Sequence, residues 1–123
     1  MPTILIVDDD DAVRGVLYDL LSARFECHTA SMADEALQYL EFENYDVILT
    51  DIEMPGLDGV AVLKRVQLRD STTPVIVISG KGDAHEAQNL IRLGAFAYIH
   101  KPFELREVDE IVDRALDPQK SIG

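Results

Sequence analysis

Short apolar runs alternate with longer amphipathic segments along the chain. Each run is rich in β-branched residues, which is typical of strands that are buried inside a sheet. The runs begin near Thr3, Phe25, Asp46, Pro74 and Ala97. The segments between them place apolar residues at helical spacing, and the first has a continuous stripe: Val13, Val16, Leu17, Leu20 and Leu21. The pattern therefore predicts five strands, each followed by a helix.

Residues that favour helix ends mark the borders of the predicted helices. An aspartate precedes the first helix, and Ser31 with Asp34 three residues later indicates a capping box before the second. Asp58 is expected to cap the third helix after a Pro-Gly turn. Gly94 ends the fourth helix as a residue that tolerates the left-handed conformation. The fifth helix ends before Pro118.

This regular alternation predicts the fold class. Strands that alternate with helices are typical of an α/β protein with a parallel sheet and helices on both faces. We expect a flavodoxin-like, doubly wound, five-stranded parallel sheet in the order 2-1-3-4-5, with five helices in three layers. At 123 residues, the chain is long enough for one domain with its own core. We place that domain at residues 1–117, and a tail or the stub of a linker at residues 118–123.

Acidic residues follow two of the predicted strands at the point where each strand ends. Four consecutive aspartates, beginning with Asp8 and Asp9, come after the first strand, and Asp51 ends the third. In the predicted order these strands are neighbours, and ligands bind at the carboxyl edge of such sheets. Two like charges about 5 Å apart cost roughly 3 kcal/mol at an effective dielectric constant near 20. The cluster therefore predicts a divalent cation with oxygen ligands. Mg²⁺ is the first choice and Mn²⁺ the alternative.

Two further polar residues reach the same edge. Ser79 ends the fourth strand and Lys101 follows the fifth. A hydroxyl and an ammonium beside a metal-bound carboxylate suit a tetrahedral oxyanion such as a phosphoryl group. Asp51 is a candidate nucleophile, since carboxylates form acyl phosphates.

Charge and composition restrict the partners. The net charge is −12, so the overall field does not attract the chain to nucleic acids or anionic membranes, and we expect no direct contact with either. The apolar runs are too short to cross a bilayer, and the N-terminus has no signal-peptide pattern. We expect a cytoplasmic protein.

Taken together, these motifs resemble the receiver domain of two-component response regulators. The matching residues are Val7-Asp8-Asp9, Asp51 in the segment from Leu49 to Gly59, Ser79-Gly80 and Lys101-Pro102-Phe103. The resemblance extends from about Thr3 to Leu116. Each motif is weak alone, but their order and their positions at strand ends make the combination specific.

The resemblance implies a role for each residue of the site. Asp51 would accept a phosphoryl group from a histidine kinase or a phosphotransfer protein, and the chain would be a regulatory phosphoacceptor rather than an enzyme. Asp9, Asp51 and the backbone carbonyl of Glu53 would bind Mg²⁺, with Asp8 helping directly or through water. Ser79 would hydrogen-bond the phosphoryl group. In this family the hydroxyl residue is more often threonine.

The resemblance also implies how the signal leaves the domain. Lys101 would pair with the phosphoryl group, and its bond to Pro102 would be cis. Tyr98 would turn inward when Ser79 moves. The output surface would comprise the fourth helix, the fifth strand and the fifth helix, around His85, Asn89, Tyr98 and Arg106. It would contact a downstream effector protein or domain, or form a phosphorylation-dependent homodimer.

Two other classes of protein use parts of this pattern. A phosphatase of the haloacid dehalogenase type also combines an aspartate nucleophile with Ser or Thr, Lys and Mg²⁺, but its nucleophile ends the first strand of the core. A flavodoxin-like electron carrier has the same fold, but four aspartates after the first strand would repel the phosphate of its cofactor. Both remain alternatives at this point.

Overall fold

The computed structural model describes residues 1–54, 59–69, 72–80 and 84–117. Within these residues five strands alternate with five helices. The strands are β1 (Thr3–Val7), β2 (Glu26–Ala30), β3 (Val47–Asp51), β4 (Val75–Ser79) and β5 (Ala97–His100). The helices are α1 (Asp11–Ser22), α2 (Ala33–Phe42), α3 (Gly59–Arg69), α4 (Ala84–Arg92) and α5 (Leu105–Leu116). The predicted tail at residues 118–123, the Pro55-Gly56 turn and the cap at Asp58 lie outside the described residues.

The strands form one parallel sheet in the order β2-β1-β3-β4-β5. The predicted order is therefore confirmed. The register brings the carboxyl ends of the central strands level, because Val7 pairs with Thr50 and Asp51 pairs with Ile78. On the outer side of β4, Ser79 pairs with His100. The residues that end these strands or follow them consequently share one edge of the sheet.

Apolar side chains cover both faces of the sheet, which gives the three predicted layers. On one face, strand residues such as Leu5 and Val77 pack with α2, α3 and α4. On the other face, residues such as Ile6 and Ile76 pack with α1 and α5. Because successive residues of a strand point to opposite faces, the inner strands must be apolar at nearly every position. Helices within the described residues are too short or too polar to cross a bilayer.

The observed helix ends match the sequence prediction at α1 and α4 and differ from it at α2. The Asp10 side chain accepts hydrogen bonds from the first turn of α1, and Gly94 after α4 has a positive φ of 110°. The predicted pairing of Ser31 with Asp34 is wrong. Because α2 begins at Ala33, Glu35 is its third residue, and the Glu35 carboxylate accepts the Ser31 backbone N–H at 2.8 Å.

Candidate functional site

Three aspartates converge at the carboxyl edge of the sheet. Asp8 follows β1 and Asp51 is the last residue of β3, and both side chains are buried, whereas Asp9 is exposed. One carboxylate oxygen from each lies within 4.8 Å of the others. Backbone contacts fix Asp8, because its N–H donates to the Ala30 carbonyl at 3.1 Å and its Oδ1 accepts the Asp10 N–H at 2.9 Å. The predicted acidic cluster is therefore assembled by the fold.

Lys101 brings a positive charge to these acids. Its Nζ lies 3.0 Å from Asp8 Oδ2 and 3.4 Å from Asp51 Oδ2. The lysine is held in place because its backbone N–H donates to the Ser79 carbonyl at 2.8 Å. The peptide bond between Lys101 and Pro102 is cis, as the resemblance implied. One ammonium thus faces two buried carboxylates.

Burial and charge shift the protonation of these groups. Burial raises the pKa of the Asp51 carboxyl to about 6. The hydrogen bond from the Glu53 N–H, at 3.1 Å, opposes this rise, Asp8 adds to it by charge repulsion, and Lys101 opposes it. Burial alone would lower the pKa of Lys101, but contact with Asp8 and Asp51 and their charges raise it overall. Lys101 therefore stays charged at neutral pH, whereas Asp51 loses its proton only as the pH rises through about 6.

The donor set fits the divalent cation that the sequence predicted. Asp8, Asp9 and Asp51 offer carboxylate oxygens, which Mg²⁺ prefers. Within the described part of the chain, Lys101 Nζ, 3.0 Å away, is the one polar group that approaches the buried Oδ2 atom of Asp8. A buried carboxylate oxygen with spare acceptor capacity is costly unless another positive group approaches it. A cation at this position would provide that group and would lower the cost of ionising Asp51.

Ser79 and Asp8 flank Asp51, because β4 and β1 lie on opposite sides of β3 in the sheet. Ser79 is the last residue of β4 and is fully buried. Its hydroxyl donates to the Glu53 carboxylate, with 2.5 Å between Ser79 Oγ and Glu53 Oε1. The resemblance implied a metal-binding Glu53 carbonyl, but the sequence did not indicate this contact of the Glu53 side chain. A second carboxylate two residues after Asp51 was the available signal.

The comparisons with known proteins agree on one family. The family model for the response regulator receiver domain matches residues 4–113. The chain belongs to this family. It is 41% identical over 112 residues to the DNA-binding transcriptional regulator NtrC of Klebsiella pneumoniae, covering 90% of this chain and 24% of that protein. The chain therefore spans about a quarter of the length of that curated relative.

Solved structures of receiver domains have the same fold. A CheY-like receiver domain protein from Methanospirillum hungatei superposes with a TM-score of 0.91 at 30% identity, covering 100% of this chain and 99% of the other. The receiver domain of NtrX from Brucella abortus gives 0.87 at 35% identity, covering 94% and 98%. Membership of the receiver family favours a signalling domain over the phosphatase and the electron carrier considered above.

Tyr98 of the receiver domain lies in β5 and is half-buried against the apolar cluster under α2, α3 and α4. Its hydroxyl is buried and, among the described residues, has no hydrogen-bond partner. The other residues predicted for the output surface are exposed, His85 and Asn89 on α4 and Arg106 on α5. The fold thus places the four residues on the predicted elements.

Arg14 is a further site residue that the sequence did not indicate. Its Nη1 donates to the Asp8 carbonyl at 2.8 Å, and its other terminal nitrogen pairs with Asp11. The guanidinium therefore fastens α1 to the loop that carries the acids. No local motif predicts this contact, because it depends on the turn between β1 and α1.

An apolar groove adjoins the acids on the side of α1. It has a volume of about 420 Å³. Its walls come from the first turns of α1 and from the loop after β5: Ala12, Val13, Val16, Lys101, Pro102 and Phe103. Val16 was expected in the core stripe of α1, but it is 45% exposed. The reason is that the Val16 side chain lines the groove, whereas Val13 at the same end of α1 packs against the core.

Proposed function

We propose that Asp51 accepts a phosphoryl group and that the modified domain signals to a partner. The observation that carries this proposal is the convergence of Asp8, Asp9 and Asp51 within 4.8 Å, with Lys101 Nζ 3.4 Å from Asp51. Such an arrangement combines a carboxylate nucleophile with a fixed cation for an incoming oxyanion. The donor would be the phosphohistidine of a histidine kinase or of a phosphotransfer protein.

The transfer needs no proton from Asp51. A carboxylate oxygen of Asp51 attacks phosphorus, and the bond from phosphorus to the donor's imidazole nitrogen breaks with its electron pair left on that nitrogen. Lys101 then pairs with the phosphoryl oxygens, and the Ser79 hydroxyl donates to one of them. Mg²⁺, held by Asp8, Asp9, Asp51 and the Glu53 carbonyl, would supply charge that offsets the negative charge of the transferred group.

We propose the apolar groove beside α1 as the place where the phosphodonor docks. It lies next to Lys101, and its lining is predominantly apolar side chains such as Val16 and Phe103. An amphipathic helix that carries the phosphohistidine would bury its apolar face there and bring the phosphoryl group to the acids. Docking and chemistry would thus share one edge of the domain.

The output would pass through α4, β5 and α5. Ser79 and Lys101 stand at the ends of β4 and β5, so a phosphoryl group on Asp51 would move groups that are attached to these elements. Tyr98 would turn inward as Ser79 moves. The surface around His85, Asn89 and Arg106 would then change conformation, and an effector domain, a separate effector protein or a second copy of the chain would bind the changed surface. Such a switch requires that the phosphoryl group favour one of two arrangements.

Intact-mass measurement after incubation with acetyl phosphate and Mg²⁺ tests the phosphoacceptor proposal. The wild-type chain should gain one phosphate, and Asp51→Asn should gain none. Asp19→Asn is the matched control, because Asp19 is an exposed acid on α1. It should be labelled like wild type. Full labelling of the Asp51→Asn variant would contradict the assignment.

A further inference from the structure

Helix α3 differs in charge from the rest of the chain. The chain as a whole carries a net charge of −12. The other four helices each contain acidic residues, whereas α3 contains none and has three basic residues: Lys64, Arg65 and Arg69. All three are exposed. The C-terminal half of α3 is therefore a local basic patch on an acidic domain.

The domain does little to neutralise this patch. Among the described residues, Lys64 and Arg69 contact no carboxylate. Arg65 Nη2 lies 3.7 Å from Glu41 Oε1, and both of these side chains are about half exposed. An exposed ion pair at this distance contributes little, because water screens it. The three basic side chains are therefore available to carboxylates from another molecule.

A small pocket opens between α2 and α3 beside the patch. Arg65 and Arg69 line it from α3, and Glu43 lines it from the end of α2. Its volume is about 30 Å³, which is room for roughly two groups the size of a water molecule. The pocket therefore fits the tip of one aliphatic side chain and is too small for a whole cofactor. The buried part of its lining is apolar: Leu40, Tyr45, Ile48 and Val66.

Leu68 adds an apolar contact to the patch. It is 87% exposed and lies one helical turn after Lys64, on the same side of α3. A single exposed leucine is ordinary on a protein surface. Here, however, it adjoins two arginines, which bind carboxylates through paired hydrogen bonds and are enriched at protein interfaces. Charge, an apolar side chain and a pocket thus lie together on α3.

We propose that Lys64, Arg65, Leu68 and Arg69, together with the pocket beside them, form a docking surface for an acidic segment of another protein. Carboxylates of that segment pair with the basic side chains, and one of its aliphatic side chains enters the pocket. This α3 surface is separate from the groove beside α1 and from the surface formed by α4, β5 and α5. The inference therefore goes beyond the proposed phosphoacceptor function and does not depend on it.

Charge complementarity selects a short acidic segment over two other occupants. A nucleic acid is a long polyanion, which the net charge of the domain repels, and it has no aliphatic side chain for the pocket. A second copy of the chain could offer the exposed acids of its α5, such as Glu107 and Glu110. That contact would join two different surfaces, so it would build a ring or an open chain rather than a closed dimer.

Two labelled synthetic peptides and fluorescence anisotropy test the proposal. One peptide carries a leucine flanked by glutamates and aspartates, and the other has serine in place of the leucine. The net charge of the domain repels both peptides, so binding requires a local site. We expect the leucine peptide to bind about five-fold more tightly, because its side chain fills the pocket. An NMR titration with this peptide should shift resonances of Leu40, Val66 and Arg69.

Charge reversal on α3 should weaken the binding of the leucine peptide. We expect a loss of about ten-fold or more in Lys64→Glu/Arg69→Glu, and a smaller loss in Arg69→Glu alone. Leu68→Ser should also weaken binding, and its exposed position means that the core is unchanged. Arg114→Glu is the matched control for Arg69→Glu, because Arg114 is an exposed arginine at the end of α5. It should bind the peptide like wild type.

Several results would overturn the inference. One is a wild-type chain that does not bind the leucine peptide, and another is equal binding by wild type and the double variant. Equal losses in Arg69→Glu and Arg114→Glu would show that only net charge matters. Tighter binding of a single-stranded oligonucleotide than of the peptide would assign the patch to nucleic acid. Self-association that light scattering detects in wild type but not in the double variant would assign it to a second copy of the chain.

Discussion

Gly59, the first residue of α3, lies directly against the backbone of Asp51. A Cβ atom at this position would stand 2.1 Å from the Asp51 carbonyl oxygen and 2.9 Å from its carbonyl carbon. Both neighbours are backbone atoms of a buried strand end, so they cannot move aside as a side chain would. The start of α3 and the candidate phosphoacceptor are thus packed so closely that only glycine fits.

We expect Gly59→Ala to destabilise the domain by about 2 kcal/mol or more, because the clash forces α3 or β3 to shift. Gly15→Ala is the matched control. Gly15 lies inside α1, and an added Cβ there meets no atom within 4 Å. That change should stabilise the domain by about 0.5–1 kcal/mol through helix propensity. Urea unfolding of both variants checks the prediction, and equal effects would contradict it.

The stability of the metal-free domain should depend on the ionisation of Asp51. Its pKa is raised to about 6 in the folded chain, chiefly by burial, and lies near 4 in an unfolded chain. A raised pKa contributes stability below pH 4 that is lost as pH rises through about 6. The Asp51→Asn variant cannot ionise, so it should become more stable than wild type by about 2–3 kcal/mol above pH 7.

Denaturant unfolding in a chelator at pH 4, 5, 6 and 7 measures this difference. The advantage of Asp51→Asn should be small at pH 4 and should grow between pH 4 and 6. Lys101 keeps a partner in this variant, because Asp8 Oδ2 also lies 3.0 Å from its Nζ. A difference that is constant over the whole range would show that ionisation of Asp51 is not its cause.

Binding of Mg²⁺ should depend on Asp9 although that residue is exposed. Its carboxylate belongs to the group of three that converge within 4.8 Å. We expect Asp9→Asn to weaken Mg²⁺ about ten-fold or more, since it removes a charged oxygen ligand. Asp11→Asn is the control, because it removes the same charge from the same acidic run but from a residue that pairs with Arg14. Calorimetric titration that finds equal affinities for both variants would remove Asp9 from the metal site.

The hydroxyl of Tyr98 should contribute nothing to stability. It is buried and lacks a hydrogen-bond partner among the described residues. Tyr98→Phe should therefore leave stability unchanged or raise it by up to about 1 kcal/mol. In Tyr45→Phe, by contrast, a hydroxyl 2.8 Å from His28 Nδ1 is lost, and we expect a cost of about 1 kcal/mol. Thermal melting of the two variants tests this prediction. A larger loss of stability for Tyr98→Phe than for Tyr45→Phe would contradict it.

The proposed switch should be visible by NMR when beryllofluoride is added with Mg²⁺. Chemical shifts should change around Asp51 and also on α4, β5 and α5. The reason is that Ser79 ends β4, the strand before α4, and Lys101 lies between β5 and α5. The far ends of β1 and β2, at the opposite edge of the sheet, provide the internal control and should change little. Changes confined to the acidic cluster would show that Tyr98 is an ordinary core aromatic and that the proposed output surface is wrong.

Much of this protein follows from its sequence. The periodicity of the apolar residues predicted the strands and helices, because strand and helix repeats bury different sets of positions. The positions of Asp8, Asp51, Ser79 and Lys101 at strand ends then predicted that they meet at one edge, since parallel strands all end on the same side. Local pattern was enough for these features because it locates each strand end, and parallel pairing then brings the strand ends to one edge.

The tertiary structure decided several contacts that no sequence pattern predicts. It paired Glu53 with Ser79, placed Arg14 on the Asp8 carbonyl, and brought Gly59 against Asp51. It also placed the Glu35 carboxylate, rather than Asp34, on the Ser31 N–H before α2. Each of these contacts depends on where a helix begins or on which way a side chain turns. Those choices are fixed by packing against the rest of the fold, so periodicity and strand position alone could not predict them.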